Sequence, residues 1–527
     1  MSDLIHDFIF ASAQRAPAAP ALVHGTTRLD YATLAGTVRQ AAHALLGAGL
    51  ARGERVAVYL EKRVENVAAL FGAALAGGVF VPVNPLLKPE QVAHILADCD
   101  VRILVTSGER LAQLAPQLAR CPGLRTVFVT GATPPDAATG MALHAWDEAL
   151  AGAAPRAPHR RIDTDVAAIL YTSGSTGKPK GVVLSHRNMV AGARSVADYL
   201  ALVPDDRLLA VLPLSFDYGL SQLTCAFLAG ASAVLLNHLF ARDVVDAVAA
   251  HGITGLGAVP PLWNQLSRLA WPDGCTLRYI TNSGGAMPGA TLAALRRALP
   301  RAQVFLMYGL TEAFRSTYLP PDEIDRRPGS MGRAIPNAEV MVVRPDGTPC
   351  APDEPGELVH RGALVALGYW NDPAKTAERF RPAPGQDPGL PLVEMAVWSG
   401  DTVRRDADGY LYYIGRADDL IKVSGYRVSP TELEDAVYAL GSVDEAVAFG
   451  VPHPELGQAI VLLAASSAAD APDAATLRRA CQQRLPGWMV PAHVEVRAGA
   501  FPRNPNGKID RKTLALPFLN LFETSPP

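Results

Sequence analysis

Residues 171–181 read Tyr-Thr-Ser-Gly-Ser-Thr-Gly-Lys-Pro-Lys-Gly, and nine of these eleven positions are Gly, Ser, Thr or Lys. Such a run can serve a polyanion: glycines let backbone N–H groups approach phosphate oxygens, hydroxyls donate further hydrogen bonds, and lysines bring charge. Thr172, Ser173, Gly174, Ser175, Thr176, Gly177, Lys178 and Lys180 are the candidates. The spacing is not that of a Walker loop, which has four residues between Gly and Gly-Lys and then Ser or Thr. Here two residues separate Gly174 from Gly177-Lys178, and Pro179 follows. Taken alone, a Gly/Ser/Thr loop is a flexible connector more often than a phosphate site. The lysines and the flanks reverse that: apolar 166–170 leads in and apolar 182–184 leads out, so the loop joins two strands.

Further polar runs follow in order. They are Tyr308-Gly309-Leu310-Thr311-Glu312 after a predicted strand, Trp398-Ser399-Gly400-Asp401 ahead of a predicted hairpin, and the run 415–422. Gly425-Tyr426-Arg427 comes next, and Pro502-Arg-Asn-Pro-Asn-Gly-Lys508 last. Each alone has a plain reading: a helix start, a turn, a solvated loop charge.

The elements that must position these runs alternate. Strand patterns at 56–60, 79–83 and 102–106 are separated by helical patterns at 65–76 and 89–98, the rhythm of a mostly parallel, helix-covered sheet. The stretch 133–161, rich in Ala, Pro and Asp, reads as an irregular surface excursion. Strands resume at 207–212, 232–236, 277–282 and 303–308. From 337 to 416 short strands with turns at 345–347 and 353–356 predict a small β-rich subdomain, with a hairpin over 403–414. The polar run 415–419 predicts a domain boundary, giving an N-terminal domain 1–416 and an α+β domain 417–527.

At 527 residues, 49% hydrophobic and 19% charged, the chain is globular and long enough for more than one core. A net charge of −3 argues against nucleic acid as the main partner. Six cysteines without a Cys-x-x-Cys pair speak against a metal cluster or disulfide framework and for a reducing cytoplasm. Residues 1–10 carry Asp3 and Asp7 and no basic segment, unlike a signal peptide. The most apolar stretch, 67–83, is broken by Gly72, Gly77, Gly78 and Pro82, so no transmembrane segment is expected.

In this order and over some 340 residues, the runs resemble the superfamily of AMP-forming acyl-CoA synthetases, peptide-synthetase adenylation domains and luciferases. The segments 59–63, 81–90 and 212–220 look most like the acyl-CoA ligases of exosortase A systems. The resemblance implies an enzyme using ATP and Mg²⁺ that converts a small-molecule carboxylate to an acyl-adenylate, releasing pyrophosphate. It then transfers the acyl group to the thiol of coenzyme A or of carrier-protein phosphopantetheine. On this likeness the loop 172–177 holds the leaving pyrophosphate, with Lys178 and Lys180 beside it. Tyr308 and Gly309 join the nucleotide site, Thr311 bonds the α-phosphate and Glu312 ligates Mg²⁺. Asp401 and Arg416 hold the ribose, and Ser283, Gly284, Gly285 and Ala286 pass beneath adenine and carboxylate. Lys508 bridges carboxylate and α-phosphate. A hinge at Asp418 rotates the small domain between half-reactions, and Gly425 and Arg427 line the thiol channel. Lys508 also resembles a site where a lysine acetyltransferase silences bacterial relatives.

Phe216 and Asp217 are the expected acyl-pocket residues. Ser-Phe-Asp resembles the segment in which amino-acid-activating members pair an Asp with the substrate ammonium, the alternative being amino-acid adenylation and carrier loading. The expectation favoured here is that Asp217 instead faces solvent or caps the following helix. A non-catalytic nucleotide-binding relative is disfavoured, because Lys508, Glu312 and Asp401 are all present.

Overall fold

The computed structural model describes residues 3–132, 140–172, 179–416, 421–423, 426–454, 456–467, 471–504 and 508–522. Two large sheets make up the N-terminal domain. One orders Ala142–Ala145, Thr126–Thr130, Val101–Ser107, Arg55–Tyr59, Val79–Pro82, Val166–Thr172, Lys180–Ser185 and Gly368–Tyr369. The first six run parallel, and helices such as Val64–Ala76 and Pro89–Asp98 carry the chain back between them. Parallel strands are covered on both faces, which is why 79–82 is buried at every position and reads as an unbroken apolar run.

The second sheet has a parallel portion of Pro20–His24, Ser232–Leu235, Arg207–Ala210, Gly255–Ala258, Tyr279–Asn282 and Gln303–Tyr308. Beyond Gln303–Tyr308 it turns antiparallel through Thr317–Leu319, Ser330–Ala334, Leu411–Arg416, Met395–Arg405, Gly356–Gly362 and Ala338–Val343. The β-rich region read from the sequence is thus hydrogen-bonded onto the large sheet. Helices Tyr31–Gly47 and Val64–Ala76 pack closely in the main core, where a Cβ on Gly72 would stand 2.7 Å from Ala41 Cβ.

The C-terminal domain is a five-stranded sheet of Ile421–Val423, Tyr426–Val428, Glu445–His453, Gly457–Ala465 and His493–Arg497. Its side chains alternate between two cores, as the period of a strand requires. Ala446 and Ala448 pack with Leu433, Val437 and Leu477 of the helices Pro430–Tyr438 and Ala474–Arg484. Val447, Phe449 and Val451 pack with Leu514 and Phe518 on the opposite face.

Two expectations change. Within 133–161 the chain adds an edge strand, Ala142–Ala145, and a short helix, Trp146–Ala151. Ala-Leu-His-Ala has no β-branched residue to announce a strand; Trp146, edge-on to Phe128 at 6.2 Å, anchors the segment. The run at 398–401, placed before the hairpin, lies inside the long strand Met395–Arg405. Among the described residues no helix is long and apolar enough to cross a membrane.

Candidate active site

The strands on either side of the glycine-rich run pair antiparallel, with Tyr171 facing Gly181 and Thr172 facing Lys180. Ser173, Gly174, Ser175, Thr176, Gly177 and Lys178 fall outside the described residues. Lys180 Nζ stands 4.5 Å over the ring of Tyr369, and the Tyr369 hydroxyl donates to Glu312 Oε1 at 2.6 Å. Burial lowers the Lys180 ammonium below the ordinary lysine value while Glu312 opposes the shift; Arg379, Lys375 and Arg416 add to it. Lys180 thus stands in a cluster of cations, of which Lys375 pairs with Asp372 at 2.9 Å and Arg416 with Asp401 at 3.1 Å, and a polyphosphate with a bound divalent cation would suit such a cluster.

Thr311 and Glu312 sit in the helical turn Thr311–Ala313, directly after the strand Gln303–Tyr308. Gly309 lets the chain fold back: a Cβ there would meet Phe314 O at 2.5 Å. Phe314 holds φ +55°, a left-handed conformation that costs a non-glycine residue about 1–3 kcal/mol. Its ring, buried in contact with Gly192, offsets that strain.

Asp401 lies opposite Arg416 across the strand pair. One carboxylate oxygen accepts from Arg416 Nε at 3.1 Å and the other from the Tyr308 hydroxyl. Its own N–H donates to Ser399 Oγ at 3.1 Å, and that hydroxyl donates to Leu358 O at 2.7 Å. Tyr308 in turn stacks on His360 at 6.0 Å and 16°; burial drops His360 to about 3, so it is a neutral platform. A carboxylate has about four lone-pair positions, and both oxygens of Asp401 retain capacity toward further hydroxyls.

Ser283, Gly284, Gly285 and Ala286 follow the strand Tyr279–Asn282 and line the same cleft. Asn282 Nδ2 braces the turn by donating to Gly285 O at 2.9 Å. Gly284 has φ +85°, and a Cβ there would stand 3.8 Å from Lys508 Cε and 3.9 Å from Phe216 Cζ. These two distances bring residues 284, 508 and 216 to one point.

Lys508 reaches that point from the other domain. Its loop is closed by Lys508 N donating to Asn504 Oδ1 at 3.1 Å and Asn504 N to Lys508 O at 2.8 Å. Glu445 holds the loop's base through Phe501 N at 2.6 Å and an ion pair with Arg503. Lys508 lines the cleft between the domains and is exposed to solvent there. Burial first, then Arg416, lower its ammonium, while Asp217 and Asp401 act the other way. Arg268 of the large domain pairs with Asp444 of the small one at 2.6 Å, and Asn264 Nδ2 donates to Asp444 O at 3.1 Å. The cleft between the domains has a volume of about 1760 Å³.

Asp217 departs from expectation. It begins the helix Asp217–Ala229 but makes no side-chain cap and does not face solvent: it is 3% exposed. Its partner is Arg315 NH1, 3.3 Å from Oδ2. Burial pushes the Asp217 carboxyl up and Arg315 opposes the shift. Asp418, Gly425 and the Arg427 side chain lie outside the described residues. Arg315, Tyr369 and the Arg268–Asp444 pair were not anticipated; a lone Arg inside the apolar, small-residue run 313–319 was the available signal for the first.

The family of AMP-binding enzymes matches residues 9–370, and the AMP-binding enzyme C-terminal domain matches residues 432–508. The chain belongs to the family of AMP-binding enzymes. It is 34% identical over 496 residues to the sulfoacetate–CoA ligase of Cupriavidus necator, covering 93% of this chain and 92% of the relative. It is 32% identical over 524 residues to the L-proline–[L-prolyl-carrier protein] ligase of Pseudomonas fluorescens, covering 97% and 99%. It spans only 6% of a much longer relative, a linear gramicidin synthase polypeptide of Brevibacillus parabrevis, at 31% identity. Among solved structures, ATP-bound MatB from Rhodopseudomonas palustris superposes with TM-score 0.88 at 27% identity, covering 99% of this chain and 100% of the other. The o-succinylbenzoate coenzyme A synthetase of Bacillus subtilis with ATP and magnesium gives 0.81 at 26%, covering 96% and 98%. A carrier-protein ligase, a coenzyme A ligase and a synthetase solved with its acyl-adenylate intermediate are thus all among the proteins this chain resembles.

Proposed function

We propose that this chain activates a small-molecule carboxylate with ATP through the residues gathered in the cleft, and passes the acyl group to a thiol. The observation that carries this reading is Lys508, delivered from the C-terminal domain to within reach of Gly284 and Phe216. A carboxylate oxygen attacks the α-phosphorus as the bond to the bridging oxygen breaks and pyrophosphate leaves. Two anions must approach, and the Lys508 ammonium offsets their repulsion and the charge gathering on the phosphoryl oxygens. Asp401 and Arg416 hold the ribose, the Tyr308 ring flanks the base, Thr311 bonds the α-phosphate, and residues 172–180 hold the pyrophosphate. Glu312, a single accessible carboxylate held by Tyr369, fits Mg²⁺, which takes one or two carboxylates plus phosphate oxygens and would neutralise charge there.

In the second half-reaction a thiol attacks the acyl carbonyl and AMP departs. A coenzyme A ligase and a carrier-protein ligase stand at similar identity to the chain, so the acceptor is the thiol of coenzyme A or of a carrier phosphopantetheine. Lys508 and an incoming thiol need the same place, so the small domain swings about Asp418, and Gly425 and Arg427 then line the thiol's path. Acetylation of Lys508 by a lysine acetyltransferase would remove the charge the first half-reaction needs. Use of ATP and cysteines that are unpaired in the structure fit a cytoplasmic enzyme. Exchange of labelled pyrophosphate into ATP, dependent on added acid, is the expected result; exchange with no acid across fatty, aromatic, short and amino acids contradicts the reading.

A further inference from the structure

We infer that Arg379 grips the part of ATP that leaves as pyrophosphate, donating through its Nε–NH2 edge to phosphate oxygens. The inference rests on the adenylation reading and adds to it a residue from outside the glycine-rich run and the polar runs.

Arg379 ends the short helix Pro373–Arg379, half-buried, and its side chain lines the cleft. NH1 is tied back, donating to Trp398 O at 3.3 Å on the strand Met395–Arg405. The guanidinium then lies against Gly400, next in the chain to Asp401. A Cβ on Gly400 would overlap NH1 and stand 3.0 Å from both Cζ and NH2, so the bare glycine is what admits the group. On its other side Arg379 is near enough to Lys180 to oppose that ammonium, and near enough to Tyr369 to act on the hydroxyl that holds Glu312. It therefore stands between the wall assigned to the ribose and the wall assigned to the pyrophosphate.

The neighbouring cations are already answered: Lys375 pairs with Asp372 and Arg416 with Asp401. Among the described residues no carboxylate pairs with Arg379, and its Nε and NH2 make no hydrogen bond. Neither atom is sealed in the packing, so the edge opposite the tethered NH1 is open to the cleft. A guanidinium edge of this kind matches two oxygens of one phosphate, which a lysine ammonium cannot do. Two cations held close without a shared counter-ion repel, and a bound polyphosphate relieves that repulsion. When the bond from the α-phosphorus to the bridging oxygen breaks, its electron pair stays on the departing pyrophosphate. Arg379 stabilises that charge and gives up no proton.

The test compares calorimetric titrations of the full chain with AMP and with α,β-methylene-ATP plus Mg²⁺. In Arg379→Gln the Kd of the analogue is expected to rise by about tenfold or more, as loss of a charged hydrogen bond predicts. The Kd of AMP should stay within about twofold, and the pyrophosphate concentration for half-maximal exchange into ATP should rise with that of the analogue. Thioester formation from a supplied acyl-adenylate should keep its rate. A residue that only supports the fold would weaken AMP and the analogue alike, and that result overturns the inference. Unchanged binding of both, or an unchanged dependence on pyrophosphate, overturns it too. Should Arg379→Gln lack a cooperative unfolding transition, Arg379→Lys is read by the same comparison, with a rise of about threefold expected for the analogue alone. Failure of the wild-type protein to bind the analogue contradicts the adenylation reading instead.

Discussion

On the nucleotide side of the cleft, Asp401, Tyr308, Arg416, Glu312 and Tyr369 hold one another through hydrogen bonds that leave lone pairs and charge turned toward the opening. On the acyl side, Arg315 and Asp217 neutralise each other in the interior, 2% and 3% exposed, with aromatic rings beneath them. The first arrangement is assembled from turns and strand ends that fit a constant ligand. The second is a buried polar pair in which the two charges answer each other. A site can thus turn charge toward its ligand on one side and bury it on the other.

The largest effect that would sharpen this contrast is on the acyl side. Asp217→Asn leaves the Arg315 guanidinium buried without a counter-charge, and unfolding in urea should show a loss of about 3–5 kcal/mol. The double variant Asp217→Asn/Arg315→Met should recover most of it; a single variant as stable as the wild type would break the comparison. On the nucleotide side, Asp401→Ala leaves the Tyr308 hydroxyl and Arg416 without their acceptor, so stability should fall by about 1–3 kcal/mol while the KM for ATP rises by about 10–100-fold, as the loss of charged hydrogen bonds predicts. A normal KM for ATP would contradict the ribose assignment.

Acidity offers a smaller effect. Adenylation needs Lys508 protonated, and burial and Arg416 lower its pKa. The rate of exchange should therefore fall with rising pH earlier than an ordinary lysine would allow. Arg416→Gln should move that alkaline limb to higher pH, and a limb that stays or moves lower would count against the assignment. Smallest is the domain contact. Arg268→Ala removes an ion pair whose side chains are 52% and 26% exposed, worth about 0.2–1 kcal/mol. The ratio of the two half-reaction rates should shift by no more than a few-fold in stopped-flow measurements, with thioester formation favoured.

The same contrast explains what could be read from the sequence. Gln303–Tyr308 was legible because a buried parallel strand is a continuous apolar run, and the motif beginning at Tyr308 follows it directly. The helix Pro89–Asp98 was legible from its proline start and apolar period. Asp401, Glu312 and Lys508 stood out because each sits in a polar run of fixed order. Arg315 did not, because its partner is 98 residues away and only the fold brings the two together. Taken alone, Asp217 pointed to a solvent-facing carboxylate or a cap; its burial is a property of the helix Asp217–Ala229 packed inside the sheet layers. The strand Ala142–Ala145 was missed because an edge strand of small residues has little periodicity to show.

Lys508 joins the two halves, and its removal tests the account most directly. Both half-reactions are followed in Lys508→Ala: acid-dependent pyrophosphate exchange, and thioester formation from a supplied acyl-adenylate. Exchange is expected to fall by about 10²–10⁴, as for other lost electrostatic stabilisers, with thioester formation near the wild-type rate. Equal loss of both, or exchange that survives, would contradict it.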